Sequence, residues 1–184
     1  TSLTEGLDDA AAVFIAVGTP SRRGDGHADL SYVYGVAREI AAGLKGFTVI
    51  ITKSTVPVGT GDEVERIIRE LRPDVPFAVV SNPEFLREGS AVKDFHQPPK
   101  TVIGEIDKAS GDTLASIYTK LDAPLIRTDV ETAEMVKYVD NSWHALKIGF
   151  ANEIGNLCKA FGIDAHAVMK IFCEDKKLNI SPAY

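Results

Sequence analysis

Two groups of residues in this chain have types and spacings suited to chemistry. The first is Asn82-Pro83-Glu84-Phe85-Leu86-Arg87-Glu88-Gly89-Ser90-Ala91, which sets two carboxylates four residues apart just after an apolar run. The second is Lys137 and Asn141, also four apart, within a long stretch of helical periodicity. A carboxylate within about 3 Å of a substrate proton can act as a general acid or base. An ammonium stabilises a developing alkoxide or oxyanion, and an amide can fix the oxygen that carries it. Together they describe the polar half of a site that handles an alcohol and an acid. If Asn82 caps a helix and Pro83 takes its first position, Glu84 complements the helix dipole and Glu88 follows one turn later on the same face. Each pair also has a plainer reading, as a solvated helix surface.

A third group, Ser54-Thr55-Val56-Pro57-Val58-Gly59-Thr60, offers hydroxyls and free backbone N–H groups suited to a phosphate, a ribose or a carboxamide. The same residues would also make a simple turn with an N-cap. His27 and His96 fall in loops, and His144 and His166 have no partner at metal-ligand spacing, so no metal is expected. Cys173, beside Ile171 and Phe172, reads as a packed thiol.

The elements that must position these groups follow from hydrophobic periodicity. Val13 to Val17, Phe47 to Ile51 and Phe77 to Val80 are apolar runs of strand length, each closed by a loop. Between them lie helical patterns, one through Leu30, Val33, Ala37 and Ile40 with Asp29 as N-cap, the next through Val64, Ile67, Ile68 and Leu71. Alternation of buried strand and amphipathic helix predicts right-handed crossovers and a parallel sheet. Thr101 to Gly104 and Leu125-Ile126 are shorter strands flanking a helix from about Lys108 to Lys120. The loops at Gly18-Thr19-Pro20, Ser54 to Pro57 and Asn82 to Glu88 then share the carboxyl edge, where open sheets bind ligands. From about Glu131 to Phe161 one proline-free helix is expected, broken at Gly162, with Asp164 capping a short helix through Val168, Ile171 and Phe172. The expected fold class is therefore α/β: a partial Rossmann-type parallel sheet followed by a long helix and a helical central domain, with the boundary near 1–128 and 129–184.

With 45% apolar and 25% charged residues in 184, the composition is that of a globular chain. A net charge of -6 leaves no basic stripe for nucleic acid. No apolar run is long enough to span a bilayer, and no signal-peptide pattern occurs, so a cytoplasmic setting with Cys158 and Cys173 reduced is expected. The chain starts at Thr1 and stops at Tyr184 without a tail, which reads as a fragment.

Taken in order, Val17-Gly18-Thr19-Pro20, Ser54 to Thr60, Asn82 to Phe95 and Glu134-Met135-Val136-Lys137-Tyr138 to Asn141 resemble the nucleotide-sugar 6-dehydrogenases, the family of UDP-glucose and GDP-mannose dehydrogenases. Asn141-Ser142-Trp143-His144-Ala145, Phe150 to Asn156 and Lys177-Leu178-Asn179-Ile180-Ser181 look closer to the GDP-mannose members. The resemblance implies oxidation of a sugar's primary alcohol to a carboxylate, with two hydride transfers to NAD and a thioester on a cysteine. It implies NAD contacts at Thr19, Pro20, Ser54, Thr55 and Glu88, with Thr55 also holding a water. Glu84, Phe85, Leu86, Arg87, Lys137 and Asn141 would face the sugar nucleotide. Glu88 would serve hydrolysis through water with Glu84 in support, Lys137 would stabilise the oxyanion, and Asn141 would bind the reacting oxygen. A homodimer through the long helix is also implied. The family's Gly-x-Gly fingerprint and its Gly-Gly-x-Cys segment do not occur in these 184 residues, and Cys173 lacks that setting, so the piece alone is expected to be inactive. Two rival readings are an NAD-dependent hydroxyacid dehydrogenase, which would not need the glutamate pair, and a non-catalytic binding or dimerisation module.

Overall fold

Five strands form one sheet in the order β1-β2-β3-β4-β5 in the computed structural model, which describes residues 3–175. A short helix α1 (Leu3–Leu7) precedes β1 (Ala12–Ile15), α2 (Ser31–Gly43), β2 (Thr48–Thr52), α3 (Thr60–Leu71) and β3 (Phe77–Ser81). Every residue of β2 and β3 is buried, as continuous apolar runs covered on both faces should be. Alternation sorts their side chains. Ile15, Ile50 and Val79 pack with Val33, Ala37 and Ile40 of α2 and Val64 and Ile68 of α3. Val49, Ile51 and Val80 face the other way, onto Ile103, Leu114 and Tyr118.

The strands β1, β2 and β3 are parallel, and Ile15 pairs with Thr52 and Thr52 with Ser81. Their carboxyl ends therefore finish level, and the three loops of interest emerge along one edge. Beyond Ile15 the ladder is replaced by a side chain, since Val17 N–H donates to Ser54 Oγ at 2.9 Å, so β1 stops two residues short of the expected Val17.

Two expectations are corrected. The sheet is not parallel throughout: β4 (Thr101–Gly104) runs antiparallel to β3, meeting it at Ser81 and Gly104, and β5 (Leu125–Thr128) is parallel to β4. The connection from β3 carries only the six-residue helix α4 (Ala91–His96), too short to return the chain across a sheet face, so β4 re-enters from the same edge. Nor does a helix begin at Asn82. Residues 82–87 are irregular, Glu88 to Ser90 form a turn with Gly89 at φ 80°, and α4 starts only at Ala91. The amide that was to cap a helix is used in tertiary bonds instead, and Glu84 and Glu88 share no helical face.

After α5 (Lys108–Ile117) and β5, the helix α6 runs from Val130 to Phe161. Asp129 caps its start by accepting from Thr132 N–H at 2.7 Å. Its first turns lie directly on β4: a Cβ at Gly104 would sit 2.6 Å from Ala133 Cβ, so only glycine permits this approach. The chain divides into two compact units, Thr1–Asp140 and Asn141–Tyr184. In the second, α6 ends before Gly162 at φ 68°, and Asp164 caps α7 (Ala165–Phe172) by accepting from His166 N–H at 2.9 Å, as the sequence predicts. Phe150 and Phe172 meet there with ring centroids 5.6 Å apart. The segment Lys177 to Ser181 lies outside the described residues. Among the described residues no helix is long and apolar enough to cross a membrane.

Candidate active site

At the carboxyl edge of β3, the chain carries Glu84 to Lys137. The Lys137 ammonium donates to Glu84 Oε1 at 2.9 Å, and the lysine is only 5% exposed. The other carboxylate oxygen, Oε2, accepts from Leu86 N–H at 2.6 Å, which folds residues 84–86 into a tight local turn. Two cations lie over the Phe85 ring, with Lys100 Nζ 4.6 Å and Lys137 Nζ 5.7 Å from its centroid. Lys100 is itself paired with Asp140 at 2.8 Å. A buried ammonium with one carboxylate partner and an aromatic wall can stabilise a negative oxygen brought beside it.

Lys137 is aimed by its own helix. One turn earlier, buried Glu134 accepts from the N–H groups of Gly59 at 2.7 Å and Gly61 at 2.8 Å, so α6 supplies the carboxylate that caps α3. Burial pushes the Glu134 carboxyl above its ordinary 4.5, and the two backbone donors pull it back. Gly59, at φ 88°, turns the Ser54–Thr60 loop so that both N–H groups face this oxygen pair.

Within that loop the hydroxyls have separate tasks. Ser54 Oγ donates to Val17 O at 2.7 Å and accepts from Val17 N–H, so it clasps β1. Thr19 Oγ1 donates to Thr55 O at 2.8 Å, joining the first and second loops. Pro20 O accepts from Asp29 N–H at 2.8 Å and stiffens the base of the first loop. Thr55 is half-buried, and its own hydroxyl has no hydrogen-bond partner among the described residues.

Arg87 and Glu88 are placed differently. Arg87 turns to Asp94, which accepts from its backbone N–H at 3.0 Å and from Nη2 at 2.7 Å. Those bonds hold the Asp94 carboxyl well below the usual carboxylate range, with a further contribution from Ser90. Glu88 sits exposed in the turn before α4. Asn141 begins the second unit, one helical turn beyond Lys137. Sequence reasoning missed Lys53, Asp94, Lys100 and Tyr118. Only Lys100 carried a signal, as a lone cation placed directly before β4.

A doubly covered α/β sheet, whose carboxyl-end loops lie beside an ammonium from the following helix, is a Rossmann-type arrangement. Residues 1–122 match the model described as UDP-glucose/GDP-mannose dehydrogenase family, NAD binding domain, and residues 131–184 match its central domain. The chain belongs to the UDP-glucose/GDP-mannose dehydrogenase family, whose matched first domain takes NAD as cofactor. It is 55% identical over 179 residues to a UDP-glucose 6-dehydrogenase of Rhizobium meliloti, covering 92% of this chain and 41% of that one. A GDP-mannose 6-dehydrogenase of Pseudomonas putida is 48% identical over 191 residues, covering 100% and 43%. The structure of a GDP-mannose dehydrogenase ternary complex from Pseudomonas aeruginosa superimposes with a TM-score of 0.92 at 46% identity, over 98% of this chain and 43% of that one. The chain thus spans about two fifths of the length of the relatives it matches.

Proposed function

We propose that this chain is part of an enzyme that oxidises the primary alcohol of a nucleotide sugar to a carboxylate. The overall change is R–CH2OH plus water plus two NAD+ to R–COOH plus two NADH, with four electrons passing as two hydrides and two protons released. Residues 1–128 contribute the cofactor side and residues 129–184 the central helical side. The observation that carries this reading is the buried Lys137 ammonium, paired with Glu84 at the carboxyl edge of a parallel strand trio.

NAD, when bound, supplies the hydride acceptor. The free Thr55 hydroxyl and the clasped Thr19, Pro20 and Ser54 loops fit a polar ligand at the ends of β1 and β2. Lys137 exchanges its Glu84 contact for the substrate oxygen as that oxygen gains charge, first as alkoxide and later as the oxyanion of hydrolysis. Glu84 stays beside it as the carboxylate that neutralises the ammonium between turnovers. Phe85 and Leu86 wall the sugar nucleotide, and Arg87, held by Asp94, fixes the turn below them. Asn141 binds the reacting oxygen, and Glu88 passes a proton through water during hydrolysis of a thioester on a cysteine outside these residues. A homodimer through α6 is supported by Leu146, Phe150, Leu157 and Phe161, exposed apolar residues that fall within one stripe at 100° per residue.

The relatives divide on the sugar. Identity favours UDP-glucose, whereas Asn141 to Ala145 and Phe150 to Asn156 favour GDP-mannose. Incubating the full-length protein with NAD and each nucleotide sugar in turn decides both points. Two NADH per sugar consumed, with a uronic acid product, is expected for one of them. A single NADH per sugar, or turnover of a 3-hydroxyacid instead, overturns the proposal.

A further inference from the structure

Beside the Lys137–Glu84 pair lies a second ammonium that the mechanism above does not use. Lys53 follows β2 and is half-buried. Its Nζ donates to Asn82 Oδ1 at 3.0 Å and reaches Asn82 O at 3.5 Å and Tyr118 Oη at 3.3 Å. The Tyr118 hydroxyl donates to the same Asn82 Oδ1. Asn82 is 1% exposed, and its Nδ2 donates to Val102 O at 2.8 Å while its backbone N–H donates to Thr52 O at 2.9 Å. Asn82 is therefore a junction of β2, β4 and the end of α5, and Lys53 occupies its acceptor side. Two residues later comes Glu84, with only Pro83 between them. Lys53, Asn82, Glu84, Phe85 and Tyr118 line one small cleft of about 40 Å³.

The charges matter as much as the bonds. A Lys137–Glu84 pair is neutral as a unit, and a neutral pair exerts little field on an incoming oxygen. Lys53 lines the same cleft as Glu84 and lies in the field of both members, attracted by Glu84 and repelled by Lys137, so that the three make a group of two ammoniums and one carboxylate. We propose that Lys53 is a positioning residue, which fixes Asn82 to Leu86 so that Glu84 meets Lys137, and which shares the Glu84 charge so that Lys137 can turn to the substrate oxygen. This inference rests on the oxidation proposed above. The charged and titratable groups facing Lys53 are Glu84 from the segment after β3, Tyr118 at the end of α5 and Lys137 on α6. Burial holds the Lys53 ammonium below the ordinary lysine value of 10.5, so it loses its proton earlier on the alkaline side than an exposed lysine would.

Steady-state pH profiles of the full-length enzyme carrying Lys53→Met or Lys53→Arg test this, together with amide exchange of residues 82–86. Lys53→Met should lower kcat about tenfold or more, an effect of the size expected for one lost charge near the reacting oxygen, while KM for NAD changes less than about twofold. It should also abolish the alkaline limb that Lys53 contributes. Lys53→Arg should restore most of kcat and carry that limb to higher pH. A role in packing alone would scale activity equally at every pH. Unchanged kcat in Lys53→Met, an alkaline limb common to all three proteins, or an arginine variant no better than methionine overturns the inference. Should the wild type oxidise no nucleotide sugar, the function proposed above fails on its own. Exchange then still decides the positioning role: faster exchange over 82–86 in Lys53→Met but not in Lys53→Arg upholds it, and equal exchange in all three refutes it.

Discussion

Asp94 gathers four donors, from the Arg87 backbone, its Nε and Nη2, and the Ser90 hydroxyl, and so ties down the turn that leads from Glu84 to α4. Its carboxyl titrates below the ordinary 3.8, because every one of those donors favours the charged form. The sign follows from linkage. A group whose folded value is depressed contributes stability that is complete above the unfolded value and disappears as pH falls through the folded one. The difference in urea midpoint between wild type and Asp94→Asn should therefore stay constant from about pH 7 to pH 5 and shrink below about pH 4. A difference that widens toward acid would contradict this assignment. At this scale the sequence was partly legible. Glu84 and Lys137 stand out by type and spacing, Glu84 four residues before Glu88 just after an apolar run and Lys137 four before Asn141 in a long helical stretch. Lys53, Tyr118 and Asp94 do not, since their roles come from partners 29, 36 and 7 residues away, which no local spacing encodes.

Helix α6 owes its placement to two contacts near its start, the bare Cα of Gly104 and the bond of Glu134 to the first N–H groups of α3. Glu134→Ala leaves two donors at a helix end without their acceptor and should cost about 2 kcal/mol in urea unfolding. Glu134→Gln, which keeps one acceptor oxygen, should fall between the two. A midpoint unchanged by Glu134→Ala would mean that water replaces the carboxylate freely. Elements declared by periodicity were read well: β2 and β3 as buried runs, α6 by its long unbroken pattern, and the Gly162–Asp164 break by its cap residues. The direction of β4 was not readable, because it depends on where the 82–100 segment lies rather than on the pattern of the strand. The helix expected at Asn82 failed for a related reason. Asn82 and Pro83 are good cap residues, yet the tertiary bonds of Asn82 to Lys53 and Val102 outcompete the cap.

At the scale of the molecule, the first unit brings three loops and the first turns of α6 to a shared edge, and the second holds the rest of α6 and α7. The segments that match the family are residues 1–122, as an NAD-binding domain, and 131–184, as a central domain. In the proposed reaction the Lys137 ammonium, delivered to the carboxyl edge and held there by Glu84, meets negative charge on the substrate oxygen. Replacing Lys137 by alanine in the full-length enzyme and measuring kcat and KM for the nucleotide sugar separately tests it most directly. A fall in kcat of about 100-fold or more with KM changed less than about threefold is expected, the mark of an interaction made in the transition state. A raised KM with kcat unaltered would contradict it.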